Sequence, residues 1–330
     1  MIFNHITEAI GNTPIVKLDQ NKIFNKNLNI YAKLEYLNPF GSLKDRIAWE
    51  MLKEEINQIK KEKKTIIENS SGNTAKALSI LANIYGVNFK IITNRIKYQE
   101  KKDILKITKT EIKELPGKSQ CLDPTDPYDP QFFIEKEIKK NPDKFYFTNQ
   151  YFNENNFKAH LKTAKEIKKD LNENIDYFVS GVGTAGSTLG IKKYFKNKIK
   201  VIGVISKKGE TIPGIRNEKE LFSVGLFDKN NLDQMVAISE EEAVKATLDL
   251  IWNFGIVTGP TGGASYAAIK KIFKNEKRRL SIVFLACDRF EFYLSYFKKI
   301  KPDIFEKEIK TFDKKIKNIT DEGKLQIDKN

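Results

Sequence analysis

Short apolar runs alternate with longer amphipathic segments along most of this sequence. Continuous apolar runs are typical of strands that are buried on both faces, and the segments between them have the periodicity of helices. Predicted strands cover 29–37, 65–70, 89–93, 144–151, 175–183, 200–206 and 280–287, and predicted helices cover 45–61, 75–86 and a segment that runs through His160 to about Lys169. The pattern therefore predicts an α/β fold with parallel sheets covered on both faces by helices.

The size and composition of the chain agree with such a fold and favour the cytoplasm. With 330 residues, 40% of them hydrophobic, the chain can form one large or two modest domains. It has no apolar run of about 18 residues, which a membrane span requires, and its first residues lack the pattern of a signal peptide. Two cysteines, Cys121 and Cys287, are too few for a disulfide framework and suit a reducing compartment. We therefore expect a cytoplasmic protein with no membrane contact.

The net charge of +15 does not by itself indicate a nucleic-acid-binding protein. Lysines are interspersed with glutamates, as in 60–64 and 305–317, arginine is scarce, and no motif of a nucleic-acid-binding module is present. Such mixed charge is typical of solvated helix faces. The two histidines, His5 and His160, are far apart in sequence, so we expect neither a nucleic-acid partner nor a metal site.

Two segments depart from the alternation. Residues 95–133 contain four prolines and predict an irregular, loop-rich stretch. Residues beyond Pro302 are polar and helix-prone. Three roles stay open for this tail, namely packing on the body, contact with a second subunit, and partial fraying.

One lysine follows a tight turn of small residues and precedes a predicted helix. In the segment 38–46, the turn that contains Gly41 and Ser42 brings Lys44 to the start of the helix. A lysine that reaches out of such a loop can react with an aldehyde, so Lys44 is a candidate Schiff-base residue. The alternative is a surface lysine at a helix start, which is common in a chain this rich in lysine.

Three further loops of small residues follow predicted strands, where ligands bind in doubly wound sheets. Residues 70–75 can hold a carboxylate with hydroxyls and helix-start amides, or form a plain N-cap. Residues 181–187 can bring amides and hydroxyls to a phosphate, although they match neither the P-loop nor the dinucleotide-binding pattern. Residues 259–265 form a glycine-rich bend close to a ligand, or a plain turn. Together with Lys44, these loops predict a site for pyridoxal phosphate and a small amino-acid substrate.

The order and composition of these loops resemble the cysteine synthase and cystathionine β-synthase family of fold-type-II pyridoxal-phosphate enzymes. The matching motifs are IGNTPIVKL at 10–18, NPFGSLKDR at 38–46, SSGNTA at 70–75, NQY at 149–151, GVGTAGS at 181–187 and GPTGGAS at 259–265, within a resemblance that spans about 6–300. It implies a homodimer with two parallel-sheet α/β domains of the tryptophan synthase β-like kind. The implied division is a large cofactor-binding domain from 1–38 and 148–302, a smaller mobile domain from 39–147, and a polar C-terminal tail from 303–330.

The resemblance also implies a role for each matching residue. Lys44 corresponds to the lysine that forms the Schiff base with the cofactor and then takes the Cα proton. Asn73 would hydrogen-bond the ring hydroxyl of the cofactor, and Thr261 would face its pyridine nitrogen. The phosphate would be bound by Gly183, Thr184, Ala185, Gly186 and Ser187, and the substrate carboxylate by Ser70, Ser71, Thr74 and Gln150.

Some positions depart from the family's pattern. Ala75 and Ala185 stand where glycine is usual, and residues 285–294 replace a segment that forms the far wall of the site. Arg216 occupies a position where O-acetylserine enzymes have glycine and members that use O-phosphoserine have arginine. An arginine there suits an anionic group, and the alternative is a solvent-facing side chain.

The expected reaction is replacement of a group at Cβ of cysteine or of an O-activated serine, with sulfide as the leaving group or as the nucleophile. A neutral hydroxyl such as that of Thr261 cannot fully protonate the ring nitrogen, and this favours β-elimination over transamination. Two alternatives are a synthase of the diaminopropionate type, which adds an amine to O-phosphoserine, and a catalytically silent relative that binds a partner.

Overall fold

The computed structural model describes residues 2–94, 96, 98–117, 126–172 and 175–306, and these residues form an α/β fold with two sheets. The strands are β1 (Ile15–Lys17), β2 (Leu28–Leu34), β3 (Thr65–Glu68), β4 (Phe89–Asn94), β5 (Glu111–Leu115), β6 (Phe145–Phe147), β7 (Tyr177–Gly181), β8 (Lys200–Ser206), β9 (Gln234–Ile238) and β10 (Leu280–Ala286). The helices are α1 (Lys44–Leu52), α2 (Ile56–Lys61), α3 (Asn73–Tyr85), α4 (Gln99–Ile107), α5 (Pro130–Lys140), α6 (Asn155–Leu171), α7 (Gly186–Phe195), α8 (Glu218–Leu221), α9 (Glu240–Phe254), α10 (Pro260–Phe273) and α11 (Leu294–Ile300).

The larger sheet has six strands in the order β1-β2-β10-β7-β8-β9. Within it, β10 pairs in parallel with β2 on one side, with Leu280 opposite Leu28 and Ala286 opposite Leu34, and with β7 on the other. The edge strand β1 runs antiparallel to β2. Residues 282–286 are fully buried, as expected of a strand covered on both faces.

The smaller sheet has four parallel strands in the order β5-β4-β3-β6. Its core on one face is the cluster Ile67, Ile92, Leu115 and Ile134. Because the strands of this sheet are parallel, the loops that follow β3 and β4 leave from the same edge. This edge supplies part of the site described below.

The prediction of an α/β fold with parallel sheets is confirmed, with differences at the ends of elements. The strand predicted over 29–37 ends at Leu34 and continues as a 3₁₀ turn over Glu35–Leu37. The single helix predicted over 45–61 is two helices, α1 and α2, separated by residues 53–55. The sequence at this break contains no proline or glycine, so no local signal marks it. The strand β9 and the helix α9 were not predicted.

The prediction that residues 95–133 are irregular was wrong for much of the segment. The described part contains α4, β5 and the start of α5. Asp129 caps α5 by accepting a hydrogen bond from the backbone N–H of Phe132 at 3.1 Å. Pro130 occupies the first helical turn, where its missing N–H costs nothing, so this proline starts a helix. Of the predicted polar tail, residues 303–306 are helical, and the rest lies outside the described residues.

A buried ion cluster fixes the helix that carries Lys44. Arg46 donates to Glu35 at 2.7 Å and to Glu166 at 2.6 Å, and Lys33 lies 2.8 Å from Glu166. Burial acts to raise the pKa of Glu166, but the hydrogen bonds from Arg46 and Lys33 outweigh it and lower this pKa to about 2. The cluster ties α1 to β2 and α6 and so holds the start of α1 in place.

Candidate active site

A cavity of about 770 Å³ lies at the carboxyl ends of strands from both sheets. Its wall is formed by the start of α1 and by the loops that follow β3, β7, β8 and β10, and parallel α/β sheets bind their ligands at this end. The structure brings almost all the predicted site residues to this wall, namely Lys44, Ser70, Ser71, Asn73, Thr74, Gln150, Gly183, Thr184, Ala185, Ser187, Arg216 and Thr261. Gly186, the remaining one, is buried between Ala185 and Ser187.

Lys44 is the first residue of α1 and contributes to the cavity wall. Its backbone N–H donates to Ser42 Oγ at 3.2 Å, and the neighbouring N–H of Leu43 donates to the carbonyl of Cys287 at 2.8 Å. Burial lowers the pKa of the Lys44 ammonium, against the smaller opposing effects of Cys287 and Asp288. The lysine is therefore held by its backbone and biased towards the neutral, nucleophilic amine.

The loop 181–187 has neighbouring backbone and side-chain atoms packed directly against its glycines. A Cβ at Gly183 would lie 2.5 Å from the carbonyl oxygen of Gly214, and a Cβ at Gly186 would lie 1.9 Å from Asn156 Oδ1. Ala185, at the N-cap of α7, has φ of 62°, a left-handed conformation that favours glycine. The loop thus leads its backbone amides into the N-terminus of α7, which is suited to an anion.

Asn156 braces this loop from α6. Its Nδ2 donates to Thr184 Oγ1 at 2.9 Å and to the carbonyl of Gln150 at 2.7 Å. Ser187 lies next to Ser180, with their hydroxyl oxygens 3.3 Å apart. The hydroxyls of Thr184 and Ser187 are therefore both fixed at the wall where the helix begins.

The loop 70–75 is joined to the loop after β6. The hydroxyl of Thr74 donates to Gln150 Oε1 at 2.7 Å, and Gln150 Nε2 donates to the carbonyl of Asn69 at 3.1 Å. Ser70 Oγ accepts from the N–H of Ala75 at 3.3 Å and so satisfies one amide in the first turn of α3, whereas the N-cap residue itself is Gly72 and makes no side-chain cap bond. Hydroxyl and amide groups from two loops converge here.

Glu68 lies fully buried beneath the same loops. Its carboxylate accepts hydrogen bonds from the Thr148 hydroxyl at 2.5 Å, from the N–H of Gln150 at 3.2 Å and from the N–H of Asn69 at 2.9 Å. Burial raises the pKa of Glu68 to about 7 despite these bonds. A titrating acid therefore supports the loops at 69–74 and 148–150.

Thr261 and Arg216 occupy the wall near the start of α10. The Thr261 hydroxyl donates to the carbonyl of Pro213 at 2.9 Å. The Arg216 side chain is 7% exposed, and its guanidinium carbon lies 4.8 Å from the centre of the Tyr151 ring. The interpretation of Arg216 as a solvent-facing residue was therefore wrong.

Asn73 meets two residues that the sequence analysis did not single out. Its Nδ2 donates to Asp288 Oδ2 at 2.6 Å and lies 3.4 Å from the hydroxyl of Tyr293. Asp288 and Tyr293 belong to the segment 285–294, in which only a departure from the family pattern was noted. Their long sequence separation from Asn73 left no local signal for the contact.

His160 is a further cavity residue that was considered only as a possible metal ligand. It is fully buried, and its Nδ1 lies 3.3 Å from the hydroxyl of Thr163. Burial, followed by the charges of Lys44 and Arg46, lowers the pKa of His160 well below its usual range. The imidazole is neutral at physiological pH. Among the described residues, no group of three or more His, Cys, Asp or Glu side chains could hold a metal ion.

Together these residues fit a flat, phosphate-bearing aldehyde. A lysine biased towards the free amine lies in the same wall as a small-residue loop at a helix N-terminus. The close contacts at Gly183 and Gly186 leave no room for larger residues in that loop, as binding through backbone amides requires.

In the part of the chain that the structure describes, every helix is too short or too polar to span a lipid bilayer.

Comparisons with known proteins agree with this fit. The family model described as "Pyridoxal-phosphate dependent enzyme" matches residues 6–288. Cystathionine beta-synthase of Apis mellifera is 31% identical over 313 residues, which are 90% of this chain and 61% of that protein. Cysteine synthase B of Campylobacter jejuni is 28% identical over 306 residues, which are 88% of this chain and 97% of that protein. The crystal structure of a hydrogen sulfide-producing enzyme from Fusobacterium nucleatum has a TM-score of 0.78 at 31% identity, covering 89% of this chain and 99% of that one.

Proposed function

Because the chain belongs to the family of pyridoxal-phosphate dependent enzymes, we propose that it replaces a group at Cβ of cysteine or of an O-activated serine, with sulfide as the leaving group or as the nucleophile. The cofactor is pyridoxal phosphate, as the description of the family states. Relatives named cysteine synthase and hydrogen sulfide-producing enzyme support the two directions of this sulfur chemistry.

The observation that carries the proposal is the presence of Lys44, the loop 181–187 and Thr261 in one cavity. When bound, pyridoxal phosphate withdraws electrons from Cα of an attached amino acid, so that a group on Cβ can leave. Gly183, Thr184, Ala185, Gly186 and Ser187 would hold the phosphate with backbone amides, two hydroxyls and the positive end of α7.

Thr261 distinguishes this site from one built for transamination. A threonine hydroxyl against the pyridine nitrogen is neutral, so it leaves the ring less electron-withdrawing than a carboxylate partner would. Negative charge at Cα is then spread less widely, which favours loss of the Cβ substituent. The Thr261 hydroxyl donates its single proton to the carbonyl of Pro213, which holds the side chain at the wall, so the hydroxyl would turn from that carbonyl to donate to the ring nitrogen.

Lys44 would serve both as the residue that carries the cofactor and as the general base at Cα. In its free form, the buried side chain of Lys44 favours the neutral amine, which can accept a proton. The neutral imidazole of His160 adds no competing positive charge to this part of the wall.

The substrate would be held at both ends. Ser70, Ser71, Thr74 and Gln150 present hydroxyl and amide groups for its carboxylate. Arg216, buried in the same wall, would bind an anionic group on Cβ, and this favours a phosphate ester over an acetate ester as the serine derivative.

The test supplies the purified holoenzyme with cysteine alone, with O-acetylserine plus sulfide, and with O-phosphoserine plus sulfide. Sulfide and serine are measured in the first reaction and cysteine in the other two. We expect at least one reaction to proceed and Lys44→Ala to abolish it. A protein that binds the cofactor yet turns over none of the three mixtures contradicts the proposal.

Arg216→Ala separates the two serine derivatives. If cysteine forms from both, the variant should raise KM for O-phosphoserine by about tenfold or more and leave KM for O-acetylserine nearly unchanged, because only the phosphate loses a charge-assisted bond. An equal change in KM for both substrates would show that Arg216 does not bind the phosphate group. The rest of the proposal would not be affected.

The oligomeric state and location complete the proposal. We propose a cytoplasmic homodimer acting on a small amino acid, supported by similarity to cysteine synthases along 88% of the chain. Light scattering on a sizing column should give twice the mass of 38.0 kDa. A measured mass equal to that of a single chain, at micromolar protein concentration, would contradict the proposed dimer.

A further inference from the structure

Asp288 lies where three loops of the cavity meet. It is 4% exposed and follows β10 by two residues. Its backbone forms a bridge with Ser42, two residues before Lys44, and its carbonyl accepts from the N–H of Gly259, two residues before Thr261, at 2.8 Å. Its side chain reaches the third loop through Asn73. The backbone contacts fix the carboxyl group relative to the rest of the site.

The hydrogen bonds around Asp288 dictate how the Asn73 amide is turned. The Tyr293 hydroxyl donates its single proton to Asp288 Oδ2, so its oxygen can only accept from any other partner. Asp288 Oδ2 accepts as well. Both atoms that face the Asn73 amide group, at 2.6 and 3.4 Å, are therefore acceptors. The NH₂ group of Asn73 must point towards them, and its carbonyl oxygen must point away.

We propose that Asp288, together with Tyr293, is a positioning residue that holds the Asn73 carboxamide in one orientation towards the ring hydroxyl of the cofactor. This inference rests on the proposed function, which gives Asn73 its contact with that hydroxyl. Asp288 engages one N–H of Asn73 closely. The other has only the longer contact with Tyr293 and remains available to donate to a ring oxygen.

The orientation does not depend on whether Asp288 is ionised. Burial raises the pKa of Asp288, and the Tyr293 hydroxyl and the charges of Lys76 and Lys101 oppose this rise. Oδ2 already accepts two bonds, whereas the buried Oδ1 has no hydrogen-bond partner among the described residues. A proton on the carboxyl group would therefore sit on Oδ1 and leave both bonds to Oδ2 in place.

The space around the pair allows little rearrangement. A Cβ at Gly259 would lie 2.4 Å from Asp288 Oδ1 and 2.8 Å from Cε2 of Tyr293. The glycine backbone thus packs directly against both side chains. Such close packing holds Asp288 and Tyr293 in the arrangement that orients Asn73.

The experiment is a double-mutant cycle on cofactor affinity. Asn73→Ala, Asp288→Ala and the double variant are stripped of cofactor and titrated with pyridoxal phosphate, and the visible band gives the apparent dissociation constant. Alanine at 288 removes the oxygen to which Asn73 donates and leaves the Asn73 amide free to turn. We expect Asn73→Ala to weaken binding about tenfold and Asp288→Ala about three- to tenfold. The double variant should bind as Asn73→Ala does, because Asp288 acts through Asn73.

Three controls keep the outcome specific. Tyr293→Phe should change affinity in the same direction as Asp288→Ala but less, and it carries the test if Asp288→Ala fails to fold. A pyridoxal phosphate analogue without the ring hydroxyl should bind wild type and Asp288→Ala equally. The inference would be overturned if the losses multiply in the double variant. It would also be overturned if Asp288→Ala and Tyr293→Phe both keep the wild-type affinity, or if Asp288→Ala weakens binding of the analogue as much as binding of pyridoxal phosphate. A wild type without a Lys44-dependent visible band would instead refute the proposed function.

Discussion

Two walls of the cavity differ in the kinds of residue that form them. The wall proposed to bind the phosphate, called the phosphate wall, comprises residues 181–187 with Pro213 and Gly214. It consists of small residues in close contact, such as Gly183 against the carbonyl of Gly214. The charged wall contains buried and partly buried ionisable groups. Lys101 and Asp288 line the cavity, and Asp45, Glu68 and Lys76 lie close in sequence to residues that line it. In this second wall, Lys76 Nζ is buried without a hydrogen-bond partner among the described residues and lies 3.7 Å from the centre of the Phe292 ring.

In the proposed function, one cavity combines two kinds of recognition. The phosphate wall relies on shape and backbone amides, so its contribution should be insensitive to pH wherever the ligand's charge is constant. The charged wall relies on groups whose pKa values burial has shifted, so its contribution should change with pH. Variants of the two walls should therefore differ in their pH dependence, and the largest effect of all is expected at Lys44.

Lys44→Ala should have the largest effect. In the proposed function, loss of the lysine removes both the attachment point of the cofactor and the base at Cα, so kcat should fall by about three orders of magnitude or more. The visible absorption band of the purified protein should vanish as well. Steady-state turnover and an absorption spectrum measure the two effects, and a variant that keeps either one shows that another lysine does this work.

Gly183→Ala should damage the phosphate wall by sterics alone. The new Cβ would lie 2.5 Å from a backbone oxygen, which no side-chain rotation can relieve, so we expect a loss of about 1–3 kcal/mol in the free energy of unfolding and weaker cofactor binding. The loss should be the same at pH 6 and pH 8. Gly72→Ala is the matched control for stability, since its Cβ would meet nothing within 4 Å. Equal losses in the two variants would show that Gly183 is not under this constraint.

Glu68→Gln should change how stability depends on pH. Burial raises the pKa of Glu68 from 4.5 to about 7, so the folded state binds this proton more tightly than the unfolded state does. The free energy of unfolding therefore falls as the pH rises from about 4.5 to about 7, by roughly 1–3 kcal/mol from this group. The melting temperature of the wild type should therefore fall between pH 5 and pH 8. In Glu68→Gln this fall should be smaller, and thermal unfolding across this pH range measures it.

Two other acidic residues help to interpret the pH dependence of Glu68→Gln. Asp45, whose pKa burial also raises to about 7, should leave part of the slope in Glu68→Gln. Glu54→Gln, at a side chain that is 80% exposed, should reproduce the wild-type curve. If Glu68→Gln also follows the wild-type curve, Glu68 does not titrate in this range and the pH contrast between the walls is lost.

Ala185→Gly and Ala75→Gly should have small effects of opposite sign. Ala185 has φ of 62°, so glycine there should stabilise the fold by up to about 1 kcal/mol. Ala75 lies fully buried inside α3, where glycine should cost about 1 kcal/mol. Thermal unfolding of both variants tests this. A destabilised Ala185→Gly would contradict the strain assigned to the loop.

The sequence could reveal the phosphate wall but only part of the charged wall. Loops of Gly, Ser and Thr after apolar strands are local signals, and they placed 70–75, 181–187 and 259–265 at one cavity. The bond between Asn73 and Asp288 joins residues 215 positions apart, and periodicity carries no information on such a pair. Whether the side chain of Arg216 is buried was equally undecided, because it depends on packing against Tyr151.

The fold was predictable where strands are central and apolar. The prediction over 200–206 coincides with β8, which is buried along almost its whole length. It failed in 95–133, where the prolines suggested loops. There, pairing of β5 with β4 and the cap at Asp129 give order that depends on the rest of the chain. Tertiary pairing thus overrides local composition in this segment.

The visible spectrum of the purified holoenzyme, recorded during titration with cysteine, O-acetylserine and O-phosphoserine, shows whether Lys44 carries the cofactor and whether an amino acid reacts there. We expect a band that depends on Lys44 and that changes in position or intensity with at least one of the three compounds, at a concentration that also supports turnover. A protein without such a band after incubation with pyridoxal phosphate, or with a band that none of the three compounds alters, would contradict it.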